Sequence, residues 1–283
     1  MVIAPDRPEQ RLDCLEVWGG SSGIDNAVGV TGLDVWAYSQ PADDVAGGDL
    51  YLLSMCACAE VSRFLVADVT GHDAEAAQVA MRLRKLMRKH INKPDQTRLA
   101  CSLNQDFDGM SRHGKFATAV VATFFPPSRH LIICNAGHPR PLLYQAAQQR
   151  WSLLDPDEPD AVEDVGNLPL GVVGDSPYRQ FAVPLDRDDL VLVYTDGVTE
   201  ARTADGQMLG ESGVLDLVRR IDVGDTGHFL ASLRTTLGVL VGDSLRADDV
   251  TMLLLKANGE QPPRQSITQK LRVTAKMLGL LPS

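Results

Sequence analysis

Four apolar residues, Phe64 to Ala67, run straight into a carboxylate at Asp68, then through a tight turn at Thr70-Gly71 into a long helical pattern. An uninterrupted apolar run of this kind reads as a strand covered on both faces. A charge at the end of such a strand is costly unless a metal or another cation compensates it. The helix that follows aims its positive N-terminal end back at the same spot, which suits an anion such as phosphate. Taken alone, Asp-X-X-Gly is a turn cap. Repetition gives it weight: Asp49 stands before Tyr51-Leu52-Leu53, Asp196 follows Leu190 to Tyr194, and Asp248-Asp249 precede the strand from Val250.

Antiparallel neighbours bring one strand's end beside the next strand's start, so these carboxylates can meet at one sheet edge. Oxygen-dominated ligation, with His72 as the one softer candidate nearby, selects hard cations such as Mg²⁺ or Mn²⁺. Two such ions about 3.5–4 Å apart can activate a water and clamp a phosphoryl oxygen. Scattered capping aspartates are the rival reading of the same pattern.

The remaining punctuation is that of a mixed fold. Leu33 to Ser39 alternates as a strand, and Tyr51 to Ala59 and Val61 to Ala67 read as two more around a reversal near Glu60. Asp73 to Asn92 reads as a helix, with Ala76, Ala80, Leu83, Met87 and Ile91 on one stripe and Asp73 as its cap. A second helix follows Pro94. Phe116 to Phe125 and His130 to Asn135 form a hairpin, followed by strands at Leu142 to Tyr144, Phe181 to Val183, Leu190 to Tyr194 and Val250 to Leu255. Helices are expected near Val214 to Ile221 and Phe229 to Val241, the latter burying Leu230, Leu233, Leu237 and Leu240. Helices inserted within runs of strands suggest an α+β layer arrangement.

Composition narrows the function. A net charge of -10 argues against nucleic-acid binding, which needs a basic face. Five cysteines without a Cys-X-X-Cys pair read as free thiols in a reducing compartment, not as disulfides or a zinc site. No apolar run approaches the roughly 18 residues of a membrane span, and residues 1–10 do not read as a secretory signal. The expectation is a soluble, cytoplasmic protein.

Six blocks then occur in a fixed order: Gly47-Gly48-Asp49-Leu50-Tyr51, Ala67-Asp68-Val69-Thr70-Gly71-His72, Asn135-Ala136-Gly137-His138-Pro139, Leu168-Pro169-Leu170-Gly171, Tyr194-Thr195-Asp196-Gly197-Val198-Thr199-Glu200-Ala201 and Asp248-Asp249-Val250-Thr251. Together they resemble the SpoIIE/RsbU-type branch of the PP2C (PPM) metal-dependent serine/threonine phosphatases. The resemblance implies a four-layer α/β/β/α sandwich of two mainly antiparallel sheets flanked by helices. It also implies two Mn²⁺ or Mg²⁺ ions and a water-based hydrolysis of phosphoserine or phosphothreonine without a covalent intermediate.

Carried over block by block, Asp49 and Asp68 resemble metal ligands, Asp68 as the bridge, with the carbonyl of Val69 as a further ligand. Asp196 resembles another ligand; of the last pair Asp248 matches best, with Asp249 as runner-up. His72 is a candidate proton donor to the leaving alkoxide, or equally a turn-stabilising histidine, and His138 reads as a turn stabiliser. Asp73 stands where the family usually has Gly, and no matched block supplies an arginine for the phosphate. The implied partner is a phosphoprotein, such as a regulator of a partner-switching pathway. A pseudophosphatase and a small-molecule phosphohydrolase of the same fold are the rival functions.

The expected organisation is an N-terminal extension at residues 1–32, the phosphatase-like domain at 33–256 and a basic tail at 257–283. From Gln261 to Ser283 the tail carries Arg264, Lys270, Arg272 and Lys276 and no acid. It reads as a short helix folded back on the acidic domain, or as a dock for an acidic partner or for a second copy in a homodimer.

Overall fold

The structure, a computed structural model, describes residues 8–13, 16–42, 47–56, 59–71, 74–91, 93, 95–108, 114–155 and 167–263. The tail beyond residue 263 and nearly all of the acidic stretch 155–164 lie outside these residues.

The chain opens with β1 (Gln10–Arg11), β2 (Val17–Gly20), β3 (Ile24–Val30), β4 (Leu33–Gln40), β5 (Asp49–Cys56) and β6 (Val61–Val69). Helices α1 (Ala74–His90) and α2 (Gln96–Asp108) follow, then β7 (Ala117–Phe125), β8 (His130–Ala136), β9 (Leu142–Gln145) and β10 (Arg150–Leu153). The last part holds β11 (Phe181–Pro184), β12 (Leu190–Tyr194), α3 (Asp196–Thr199), α4 (Gly210–Val218), α5 (Thr226–Val241) and β13 (Val250–Ala257). One sheet has seven strands in the order β1-β3-β4-β13-β12-β9-β10, and the other has six in the order β11-β8-β7-β6-β5-β2. β1 pairs parallel with β3; the other strand pairings are antiparallel.

Strand alternation stacks these elements. Along β6, Phe64 and Val66 face the other sheet, where they meet Val35, Val193, Leu253 and Leu255. Leu65, Ala67 and Val69 point the opposite way and pack under α1 and α2, against Ala76, Ala80, Leu83, Leu99 and Leu103. On the far side Trp36, Leu192, Met252 and Leu254 of the seven-stranded sheet pack under Val214, Leu217, Phe229, Leu233 and Leu237 of α4 and α5. Three apolar interfaces thus separate four layers in the order α/β/β/α, the expected fold. Central strands are covered on both faces, so their sequences lack polar alternation. Each fully buried Leu or Val adds about 1.5–3 kcal/mol to this stacking.

Local signals set the helix ends. Glu75 lies in the first turn of α1 and Arg88, Lys89 and His90 in its last, matching the helix dipole at both ends. Asp95 caps α2 by accepting from the Arg98 amide at 2.9 Å.

Three details differ from the sequence reading. The stretch expected as an N-terminal extension is woven into the sheets from residue 10: β2 pairs with β5 and β3 with β4. β10 was not anticipated, because only Trp151 of its four residues is fully buried. In α5 the buried stripe runs through Phe229, Leu230, Leu233, Leu237 and Val241, while Leu240 is 40% exposed. The terminal turn of that helix buries Val241 instead. Cys101 and Cys134 are free thiols, Cys134 buried. Among the described residues no helix is long and apolar enough to cross a membrane.

Candidate metal centre

Asp49 and Asp68 are directly opposed across β5 and β6, and Asp68 is opposed on its other side by Thr118 of β7. Both aspartates occupy the register that faces the second sheet. From that sheet, Asp196 opens α3 immediately beyond β12, and Asp248 and Asp249 lead into β13. The five carboxylates therefore gather at one edge of the sandwich, contributed by both sheets.

Their electrostatics record the convergence. Asp49 is 3% exposed, and burial pushes its carboxyl well above the ordinary range, with Asp249 and Asp196 adding repulsion. Asp68 is pushed up to about 9, first by burial and then by Asp49, Asp196, Asp248 and Asp249. Asp196 rises to about 6 through burial, Asp248 and Glu200, and its carboxyl shares a hydrogen bond with that of Asp68. Crowded carboxylates raise one another's affinity for protons, or for any other cation.

A ladder of hydroxyls links this cluster to the seam between the sheets. Ser39 and Thr251 place their hydroxyl oxygens 2.9 Å apart. The Thr251 amide donates to Thr195 Oγ1 at 2.9 Å, and Thr195 Oγ1 donates to Asp49 Oδ2 at 2.8 Å. The other oxygen of Asp49, Oδ1, is buried without a hydrogen-bond partner. A buried carboxylate oxygen left so is an acceptor waiting for a ligand or cation.

Asp248 and Asp249, inseparable in sequence, have different surroundings. Asp249 is 3% exposed and accepts from the amides of Ala42 at 2.8 Å and Gly48 at 2.6 Å. It staples the Gly47-Gly48 turn to β13. A Cβ at Gly48 would stand 2.4 Å from the Val69 carbonyl oxygen, and one at Gly47 would stand 2.0 Å from the Asp249 carboxylate. The two glycines admit these approaches, which bring the Val69 carbonyl against Gly48, the residue before Asp49. Asp248 is half-buried; its carboxylate accepts the Asp249 amide and repels Asp68 and Asp196.

His72 and Asp73 lie outside the described residues. His138 is 5% exposed, with its Nδ1 2.8 Å from Thr118 Oγ1. Its amide and carbonyl are both held by the Asn135 side chain, and burial drives its imidazole down to about 3. A neutral imidazole locked in a turn fits the stabilising role expected of it. Sequence reading missed Thr195, Thr251 and Ser39, ordinary residues until the sheets stack. It also missed Lys115, whose ammonium donates to the Thr70 carbonyl at 2.8 Å and lies where a Gly71 side chain would be.

Among the described residues no three carboxylate, histidine or cysteine side chains already surround one point as a finished cage. The carboxylates instead rest on protein partners: Asp49 on Thr195, Asp68 on Asp196 and Asp249 on backbone amides. Even so, an oxygen-only donor set, an orphaned buried oxygen on Asp49 and mutually repelling neighbours suit hard divalent cations. The residues fit the group.

Comparison with known proteins bears on the same elements. The family model for Stage II sporulation protein E (SpoIIE) matches residues 60–258. The chain belongs to the SpoIIE family. The match takes in Asp68, Asp196, Asp248 and Asp249, while Asp49 lies ahead of it and is brought in by the β5–β6 pairing. Phosphoserine phosphatase RsbU of Bacillus subtilis is 24% identical over 176 residues, 62% of this chain and 49% of RsbU. The chain thus spans about half the length of that curated relative. Among solved structures, the RsbU and RsbW domains of Rv1364c from Mycobacterium tuberculosis align with a TM-score of 0.65 and 25% identity, covering 92% of this chain and 71% of that one. The PP2C phosphatase domain of SpoIIE from Bacillus subtilis, solved with a fragment of its regulatory domain, aligns with a TM-score of 0.66 at 13% identity, covering 88% of this chain and 71% of that one. At that identity the likeness is one of fold, and the SpoIIE-family sandwich described above is a PP2C fold.

Proposed function

We propose that this chain is a metal-dependent phosphatase of phosphoserine and phosphothreonine in proteins, with two Mn²⁺ or Mg²⁺ ions held by Asp49, Asp68, Asp196, Asp248 and the carbonyl of Val69. The observation that carries the reading is the gathering of repelling carboxylates from both sheets around an unpartnered oxygen of Asp49. Bound there, divalent cations would supply a water acidified toward neutral pH and positive charge for the phosphoryl oxygens.

The chain's own residues divide the remaining work. Asp68 lies between Asp49 on its own sheet and Asp196 on the other, the position of a bridge. Thr195 fixes one Asp49 oxygen by hydrogen bonding and leaves the other free to ligate. Asp249 holds the Gly47-Gly48 turn, so it acts as a positioning residue and Asp248 as the ligand. Lys115 brings an ammonium to the same edge, where a phosphate dianion would otherwise meet carboxylates. The family membership and the name of RsbU support a phosphoprotein substrate, and a regulator of the partner-switching kind is the substrate class proposed.

The test is hydrolysis of phosphoserine and phosphothreonine peptides with Mn²⁺ or Mg²⁺, beside a generic aryl phosphate and a chelator control. Turnover that appears with metal and disappears with chelator is expected. Metal binding without turnover of any phosphoester would identify a pseudophosphatase. Turnover of small phosphoesters with none of phosphopeptides would identify a small-molecule phosphohydrolase.

A further inference from the structure

A cavity of about 460 Å³ opens on the outer face of the seven-stranded sheet. Tyr38 and Gln40 of β4 and Val250 of β13 form its floor, and Arg234 and Gly238 of α5 form its wall. Arg246 stands at its rim, on the 3₁₀ turn Gly242–Arg246 that follows α5. This cavity shares a wall with the carboxylate edge. The 3₁₀ turn runs within two residues into Asp248, and Val250 directly follows Asp249. Gln40 pairs with Val250 and stands two residues before Ala42, whose amide Asp249 accepts.

The lining has a definite chemistry. The Arg234 guanidinium lies 4.6 Å over the Tyr38 ring and pairs with Asp25 at 3.2 Å, so it is held in place. Arg246 is exposed and joins no ion pair among the described residues. Asp243 also lines the cavity and Asp25 already answers Arg234, so the exposed guanidinium of Arg246 is the cation left to meet an incoming anion. Gly238 occupies the interior of α5, where glycine weakens a helix, and a Cβ there would have nothing within 4 Å. A missing side chain is what leaves the mouth of the cavity open.

We propose that this cavity is a docking subsite for an acidic side chain of the phosphoprotein substrate, a few residues along from the phosphorylated serine or threonine. The proposal rests on the phosphatase reading above and adds a source of substrate choice to it. The Arg246 guanidinium beside a floor of Tyr38, Gln40 and Val250 suits a carboxylate carried on a short methylene stem. An extended peptide advances about 3.3–3.6 Å per residue, so a side chain three residues from the phosphoserine reaches roughly 10 Å from the reacting phosphorus. Attraction at such a distance acts on substrate capture and leaves the bond-breaking step alone.

Phosphoserine peptides carrying glutamates at three to five residues on either side of the phosphoserine are compared with serine-substituted counterparts. The proteins are wild type, Arg246→Glu and Gly238→Leu. Neither substitution replaces a carboxylate of the edge, and leucine favours the helix more than glycine does. Wild type is expected to prefer the acidic peptides by about tenfold in kcat/KM. Both variants lose that preference and keep the wild-type rate on para-nitrophenyl phosphate. Fluorescence anisotropy of the labelled peptides under chelator reads the subsite without turnover and should show the same loss. Absence of any preference in wild type, or its survival in both variants, overturns the proposal. If glutarate binds wild type but not Gly238→Leu while the peptides show no preference, the cavity takes a small anion and peptide docking is refuted. Failure of wild type to hydrolyse any phosphoester removes the phosphatase reading instead, and the anisotropy still judges the subsite.

Discussion

Replacing Asp68 with Asn should change the sign of its effect on stability according to whether metal is present. In the metal-free fold the Asp68 carboxyl is pushed up to about 9 from an ordinary value of 3.8 by burial and four neighbouring carboxylates. A raised folded-state value means that stability is fully present below the unfolded value and is lost as pH rises from about 4 to about 9. Near pH 7.5 the difference from the unfolded chain is at most about 5 kcal/mol. The polarisability of a real protein interior reduces this to about 1–3 kcal/mol. Asparagine keeps the shape, removes the charge and can still donate to Asp196, so Asp68→Asn should raise the metal-free melting temperature by roughly 3–8 °C. With Mn²⁺ at about a hundred times its dissociation constant, wild type gains about 2.7 kcal/mol and the variant gains little. Thermal denaturation of both proteins in chelator and in MnCl₂, at several pH values between 5 and 9, reads all of these terms. A variant less stable than wild type in chelator would refute the crowding argument. Equal stabilisation of both proteins by Mn²⁺ would remove Asp68 from the metal site.

Asp248→Asn should abolish Mn²⁺-dependent turnover with little change in metal-free stability. Asp249→Asn should cost about 1.5–3 kcal/mol through its weakened bonds to the Ala42 and Gly48 amides, measured by denaturant unfolding under chelator. Thr195→Val leaves a second Asp49 oxygen and the Thr251 amide without their partner, so it should lower stability by about 1–3 kcal/mol in a urea titration and weaken Mn²⁺ binding by calorimetry. His138 titrates with the opposite sign to the carboxylates. Its folded value of about 3 lies below 6.5, so its contribution is present above 6.5 and lost as pH falls toward 3. His138→Gln should flatten the acid limb of the stability profile, and an NMR titration should show the imidazole neutral at pH 5.

The layers and most elements were legible because burial on both faces leaves a mark in the sequence. Phe64 to Ala67 and Leu190 to Tyr194 are apolar throughout, as strands between two cores must be. Signals failed where burial is partial. β10 carries Arg150 and Ser152 around one buried Trp151, β1 is two exposed residues, and β3 opens on Ile24, Asp25 and Asn26, none of them buried. At the site, the aspartates were legible because an acid at the end of an apolar run is conspicuous. The choice between Asp248 and Asp249 could be made only by resemblance, since adjacent identical residues differ in nothing except their surroundings. Thr195 and Thr251 were invisible for the same reason. A threonine in a strand or at its end is ordinary, and the partner of Thr195 lies 146 residues away, at Asp49.

The gathering of acids belongs to neither sheet, and this makes core volume and site geometry a single variable. Asp49 and Asp68 ride on one layer, and Asp196, Asp248 and Asp249 ride on the other. The gap between the layers is filled by residues such as Leu53, Phe64, Val193 and Leu253. A shortened side chain there draws the layers together or leaves a void, and either result resets the spacing of oxygens several residues away. The thickness of the greasy slab is therefore the ruler against which the acids are set, and drift in its composition is constrained by chemistry at its rim.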